Sequence, residues 1–312
     1  MFNWLKKSAT AQVKNGLAST VDTPAKVAEQ DHVARQIDML RLREPAFKQI
    51  QTIILVASGK GGVGKSTTAA NLAMALAALG VRTGLLDADI YGPSVPTLFA
   101  LQGEKVTSPD NKLMLPLTRH GVTLQSIGFL VDPAQASVWR GPMASQALLQ
   151  LLNETLWPEL DVLLIDMPPG TGDIQLTLSQ KLPVTGAVVV TTPQDLALAD
   201  AQKAIAMFNQ VQIPLLGLVE NMSFYLCPSC GNHDDVFGSA GGLTLAQRHN
   251  VAVLGQLPLQ GTIRLQADNG VALSAGDVQL KDLYENISRT LLQRLSGELP
   301  QPVAVEIIIT DD

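Results

Sequence analysis

Nine consecutive residues, Gly59-Lys60-Gly61-Gly62-Val63-Gly64-Lys65-Ser66-Thr67, have the types and order of a phosphate grip. They satisfy G-x-x-x-x-G-K-[ST], with an apolar run before them and a helical pattern after. Glycines let backbone N–H groups converge on a phosphate with no Cβ in the way, and the following helix adds its dipole and free N–H groups. In such a loop Lys65 reaches the β- and γ-phosphates and the Ser66 hydroxyl ligates Mg2+. Gly59 to Thr67 are therefore the expected ATP/ADP-binding residues. Lys60 is a further cation that the motif does not require. The loop wraps its own phosphates with backbone, so Lys60 is suited to a nucleotide held by a facing subunit. A cation supplied in trans is worth about 10³–10⁵ in rate.

Metal and water need acids as well. The strand-like run Thr83 to Leu86 ends in Asp87-Ala88-Asp89. The run Val162 to Ile165 ends in Asp166-Met167-Pro168-Pro169-Gly170-Thr171-Gly172-Asp173. Acids at the carboxyl ends of parallel strands face the crevice where ligands bind. An apolar strand closed by Asp is the Walker B pattern, which assigns Asp166 to Mg2+. The Pro-Pro-Gly-Thr-Gly stretch suits a switch loop that senses the γ-phosphate.

Cys227-Pro228-Ser229-Cys230 is a third reactive group. It admits a thioredoxin-type redox pair, although such a pair opens a helix and a polar segment follows here. It admits structural zinc, with His233 as a third ligand or a second subunit's pair completing four. It also admits half of an iron–sulfur site: a cluster takes four thiolates, and a two-fold dimer presents one Cys-x-x-Cys twice.

The segment Lys60 to Thr67 resembles the deviant Walker A motif of the family containing the partition ATPases, the Min-type ATPases and the nitrogenase iron protein. That resemblance implies a nucleotide-sandwich homodimer with Lys60 acting across the interface. It implies that Asp89 orients the attacking water or sits near Mg2+, with Asp87 in support. It also implies that Asn221, after the strand Leu215 to Val219, contacts adenine. Catalysis would then rest on Lys60, Lys65, Asp89 and Asp166.

Glu220-Asn221-Met222-Ser223, the Cys-Pro-Ser-Cys-Gly stretch, Phe237-Gly238 and Gly241-Gly242 narrow the match. So do Leu86 to Ser94, Trp139-Arg140-Gly141-Pro142-Met143 and Asp166 to Asp173. Together they resemble the Mrp-type (ApbC-type) iron–sulfur cluster carrier ATPases over about residues 50 to 295. The resemblance implies slow ATP hydrolysis and a labile [4Fe-4S] cluster between subunits, on Cys227 and Cys230 of each. The cluster would pass to apo iron–sulfur proteins, with cluster scaffold proteins as further partners. Many bacterial members carry a separate N-terminal domain, whereas about 48 residues precede the core here.

The elements that must position these groups read as alternating strands and helices. Strands are expected at Ile53 to Ala57, Thr83 to Leu86, Val122 to Ile127, Val162 to Ile165, Ala187 to Thr191, Leu215 to Val219 and Ala252 to Gln256. Helices are expected at Lys65 to Leu79, Met143 to Leu156, Ile174 to Lys181, Leu196 to Asn209 and Lys281 to Leu295. Met114 to Leu117 forms a hairpin with the third strand. This is an α/β, doubly wound, mostly parallel sheet flanked by helices. Three regions are expected: an extension at 1–48 with one short helix (Val33, Ile37, Leu40), the P-loop ATPase domain at 49–298, and a tail at 299–312.

Composition sets the outer limits. Of 312 residues, 46% are hydrophobic and 16% charged, which excludes a disordered chain. A net charge of −6 argues against sequence-independent nucleic-acid binding. No apolar run reaches the length of a membrane span. Two cysteines three residues apart and no secretory apolar stretch indicate a reducing, cytoplasmic setting. A Min- or Par-type positioning ATPase is the rival reading, but the acidic end Glu306 to Asp312 lacks a basic amphipathic helix. His32, His120 and His249 have no partners at metal spacing. Arg140 serves either an interface or a structural ion pair.

Overall fold

Ile50–Ala57 is apolar on both sides of its pleat, and it becomes β1, with every residue but Gln51 buried. A strand hydrophobic on both faces belongs in the middle of a parallel sheet. The computed structural model describes residues 45–109, 112–131, 141–227, 229–271 and 277–297. The other strands are β2 (Thr83–Asp87), β3 (Leu117–Arg119), β4 (Val122–Ser126) and β5 (Leu160–Asp166). They continue with β6 (Gly186–Thr191), β7 (Leu215–Leu226), β8 (His233–Asp234) and β9 (Val253–Pro258). Their order is β3-β4-β2-β5-β1-β6-β7-β8, with β9 paired to β7. Only the β3–β4 and β7–β8 pairs are antiparallel among the described residues.

Eight α-helices are described: α1 (Lys65–Ala78), α2 (Val95–Leu98), α3 (Gly141–Asn153), α4 (Asp173–Lys181), α5 (Asp195–Gln210), α6 (Gly241–His249), α7 (Gly261–Asn269) and α8 (Val278–Leu295). They divide between the two sheet faces. Ile54 and Val56 of β1 face α1 and α8, against Leu72, Leu76, Tyr284 and Leu291. Ile53, Leu55 and Ala57 face α3, α4 and α5, against Leu148, Leu178, Ile205 and Phe208. Each fully buried Ile or Leu here contributes roughly 1.5–3 kcal/mol. Phe47, in the 3-10 turn Pro45–Gln49, is 1% exposed and packs in the second of these cores.

The doubly wound parallel sheet is the fold expected from the pattern. The hairpin is present as β3–β4, turning at His120 and Gly121, both with positive φ. Other details differ. The third helix stops at Asn153 rather than Leu156, because Thr155 bridges to Met114. The strand expected to end at Val219 runs on to Leu226. The short elements α2 and β8, and the helices α6 and α7, had no counterpart in the sequence reading. The Val33–Leu40 helix, Trp139, Arg140, Pro228, His32 and the tail beyond 297 lie outside the described residues.

Parallel register brings the carboxyl ends of three strands level. Val56 of β1 and Asp87 of β2 both stand opposite Asp166 of β5. The loop after β1 and the acids that close β2 and β5 thus share one rim, where an open α/β sheet binds ligands.

Candidate functional site

The loop from Ser58 to Gly64 leaves β1 and delivers the chain into α1. Gly62 and Gly64 both have φ +81°, a left-handed backbone that suits glycine. α1 opens at Lys65 with no side-chain cap, so its first N–H groups point free into the loop. Gly59 is required by close approach, since a Cβ there would lie 2.0 Å from the backbone carbonyl carbon of Asp200 in α5. Ser58 Oγ donates to the Lys60 carbonyl at 2.9 Å, and the Ser58 carbonyl accepts the Gly170 N–H at 2.9 Å. The second of these bonds ties the phosphate loop to the Pro-Pro-Gly-Thr-Gly stretch.

Lys65 and Asp166 form a buried pair. The Lys65 Nζ lies 2.5 Å from Asp166 Oδ1 and 3.1 Å from Ser66 Oγ. Their side chains are 6% and 0% exposed. Asp166 Oδ2 is buried with no hydrogen-bond partner among the described residues. A buried carboxylate oxygen without a donor is costly, and it is the feature a hydrated cation would satisfy. The unpartnered Asp166 Oδ2, with the Ser66 hydroxyl held on the same Lys65 ammonium, therefore fits Mg2+.

Asp87 is wholly buried and does structural work. Its Oδ2 accepts from the Ser94 and Val95 N–H groups and from Ser126 Oγ at 2.9–3.0 Å, and its Oδ1 accepts from the Asp89 N–H at 3.1 Å. Burial, and then the charge of Asp166, push its carboxyl up to about 7, against the pull of the Val95 N–H and Lys65. Asp89 is held at the mouth of the site, its pKa also raised by burial and partly offset by Lys65. It lines an open cavity of about 440 Å³ with Tyr91 and the 168–175 loop. Gln175 fixes that loop, donating to the carbonyls of Pro168 and Pro169.

Asn221 reaches the same loop from the other side. Its Nδ2 donates to the Val63 carbonyl at 2.9 Å, and it lies 2.2 Å from where a Cβ on Gly64 would be. Lys60 is half-buried, and no ion pair holds its ammonium among the described residues. The structure thus brings together Gly59–Thr67, Asp87, Asp89, Asp166 and Asn221.

Cys227 and Cys230 stand apart from that group, at the tip of the β7–β8 hairpin. The Cys227 N–H donates to the Asn232 carbonyl, and the Gly231 N–H donates to the Cys227 carbonyl. The thiols are free, Cys227 half-buried and Cys230 exposed. Backbone N–H groups of Ser229 and Cys230 point at the Cys227 sulfur and lower its pKa, with the Cys230 side chain adding to them. Thiolate is the metal-binding and nucleophilic form of cysteine, and these N–H groups favour it at Cys227. His233 is engaged by its own neighbours. Its ring stacks on Phe224 at 4.8 Å and its Nδ1 faces Asp235 at 3.5 Å. Among the described residues no cluster of three or more His, Cys, Asp or Glu forms a metal site. The sequence reading passed over Ser58, Ser126 and Gln175 and gave Glu220 no role of its own, because their roles depend on partners distant in the chain.

Comparison with known proteins decides the family. The family model described as ParA, NUBPL iron-transfer P-loop NTPase, matches residues 49–292. The chain belongs to this family. It is 53% identical over 258 residues to the iron-sulfur cluster carrier protein of Escherichia coli K12, covering 82% of this chain and 69% of that one. It is 47% identical over 259 residues to the iron-sulfur cluster transfer protein NUBPL of Mus musculus, covering 82% and 81%. Among solved structures, a nucleotide-binding protein of Archaeoglobus fulgidus in complex with ADP matches with TM-score 0.64 and 37% identity, over 77% of this chain and 91% of that one. The Pyrococcus furiosus cell division ATPase MinD matches with TM-score 0.60 at 19% identity, over 78% and 99%, which shows the shared fold. As a P-loop NTPase of this family, the chain carries its loop, its closing acids and its cysteine hairpin in one sheet. No described helix is long and apolar enough to cross a membrane.

Proposed function

We propose that this chain is an ATP-binding, ATP-hydrolysing carrier of iron–sulfur clusters, working as a homodimer in the cytoplasm. The cargo is a labile [4Fe-4S] cluster held between subunits by Cys227 and Cys230 of each, and its recipients are apo iron–sulfur proteins. The observation that carries this reading is the hairpin tip. It offers two accessible thiols, one poised by backbone N–H groups, and no third ligand beside them among the described residues. A cluster needs four thiolates, so a second copy of the hairpin completes the set. The same shortage disfavours a zinc site within one chain, which would need His233.

Hydrolysis is positioning and electrostatics. Gly59 to Thr67 wrap the phosphates with backbone N–H groups, and Lys65 leaves Asp166 for the β- and γ-phosphates. Ser66 and Asp166 would hold Mg2+, which when bound would neutralise charge on the phosphate oxygens. Asp89 orients water at the mouth of the cavity, Asn221 contacts adenine, and Lys60 reaches the partner's nucleotide. The Gly170 N–H on Ser58 lets the 168–172 loop follow the occupancy of the phosphate loop.

The test is anaerobic reconstitution with ferrous iron and sulfide, followed by transfer to an apo acceptor. About four irons and four sulfides per two chains are expected, and their loss in Cys227→Ala. A colourless monomer under these conditions overturns the reading, and stoichiometric zinc in place of iron favours the structural-metal alternative.

A further inference from the structure

Glu220 is a buried carboxylate that the mechanism above does not use. It is 0% exposed, and no ion pair compensates it among the described residues. Burying such a group is costly unless its oxygens are fully bonded. They are: Oε1 accepts the Gly242 N–H at 2.5 Å, and Oε2 accepts from Gln256 Nε2 at 2.6 Å and from Ser223 Oγ. Ser223 Oγ in turn accepts from Gln256 Nε2 at 2.9 Å.

These bonds close over an irregularity in the sheet. Glu220 pairs with Gln256 of β9, and the next pair is Phe224 with Pro258. Three residues of β7 therefore stand against one of β9. The middle one, Met222, has φ +55°, which a non-glycine residue rarely adopts within a strand. Bulges of this kind re-aim side chains. Here the re-aimed residue is Asn221, whose amide is bonded to the phosphate loop at Val63. Beyond the bulge, Phe224 stacks on His233 and the strand runs directly into Cys227.

We propose that Glu220 is a positioning residue that staples this bulge, setting Asn221 against the phosphate loop and coupling the loop's occupancy to the Cys227–Cys230 hairpin. The proposal rests on the nucleotide and thiol sites being those assigned above. Coupling between sites needs a contiguous element that joins them, and this strained bulge, bonded to the phosphate loop at one end and running into Cys227 at the other, joins these two.

The test uses the full chain, Glu220→Gln and Ser223→Ala, with Mg·ADP as the ligand and iodoacetamide as the thiol probe. In the unaltered protein, saturating ADP changes the alkylation rate by about fivefold or more, the lower end of ordinary coupling. A glutamine at 220 meets three donors with a single acceptor oxygen. Glu220→Gln is expected to raise the ADP dissociation constant and the KM for ATP roughly tenfold, with kcat within about twofold, and to make alkylation indifferent to ADP. Ser223→Ala removes one donor without adding an unpaired group, and shows the same split to a smaller degree. A merely structural defect would speed alkylation equally with and without ADP. Either variant keeping the full ADP response overturns the proposal, as does an unaltered protein whose alkylation ignores bound ADP. A protein that shows the response yet takes up no iron refutes the carrier reading and leaves the positioning role standing.

Discussion

Replacing Lys65 with alanine should do two separable things. The first is local: without the ammonium, Mg·ADP no longer stabilises the chain. At about a hundred times its dissociation constant ADP adds about 2.7 kcal/mol to a binding-competent protein, and this increment should vanish. The second is a loss of stability in the nucleotide-free chain. Asp166 is 0% exposed, its Oδ1 is 2.5 Å from the Lys65 Nζ, and its Oδ2 already lacks a donor among the described residues. Removing one member of a buried pair costs roughly 3–5 kcal/mol, because the other charge is left uncompensated. With a urea slope of about 3 kcal/mol per molar for a domain of this size, the midpoint should fall by about 1–1.7 M. Lys65→Ala/Asp166→Asn should recover about half or more of that loss, since a neutral amide replaces the stranded carboxylate. The assay is urea unfolding followed by circular dichroism, with and without Mg·ADP. A Lys65→Ala midpoint within about 0.2 M of the unaltered protein would refute the reasoning, as would a double variant less stable than the single one.

Three further expectations follow from the same geometry. If Lys60 acts in trans, Lys60→Met and Asp89→Asn are each nearly inactive, yet an equal mixture regains about a quarter of normal ATPase activity, because each mixed dimer holds one complete site; no recovery on mixing refutes it. Asp87, pushed up from 3.8 to about 7, keeps a proton in the native chain that the unfolded chain loses above its ordinary value. The unfolding free energy of the nucleotide-free protein should therefore fall as pH rises from about 4 to 7, and Asp87→Asn should flatten that slope in urea titrations at several pH values. Gly59→Ala puts a Cβ 2.0 Å from backbone of α5, so it should cost about 1–3 kcal/mol and weaken ADP binding, measured by thermal unfolding and calorimetry.

How much of this was legible in the chain depended on what constrains each residue. Gly59 to Thr67 and Asp166 could be read because a phosphate and a metal each restrict the residue type expected there, and the strands before them are continuously apolar; the expectation for Asp89 came from the family resemblance. The segment after Val219 could not be read in the same way. Periodicity arguments count apolar side chains, and Glu220, Asn221 and Ser223 look like the end of a strand. They are nonetheless strand residues, buried because they bond one another, Gln256 and the phosphate loop. α7 escaped notice for the opposite reason, since it buries no residue fully and so carries little apolar stripe. The resemblance marked Glu220-Asn221-Met222-Ser223 as a motif without supplying a cause. The cause needs pairings 22 and 36 residues away, from Glu220 to Gly242 and to Gln256, which exist only once α6 and β9 have packed on β7. A residue whose type a phosphate or a metal dictates is therefore legible from chemistry alone. A residue that holds it in place becomes legible only with the fold, and Glu220 is of the second kind: its carboxylate is tolerable in the core only because three separate segments converge to bond it.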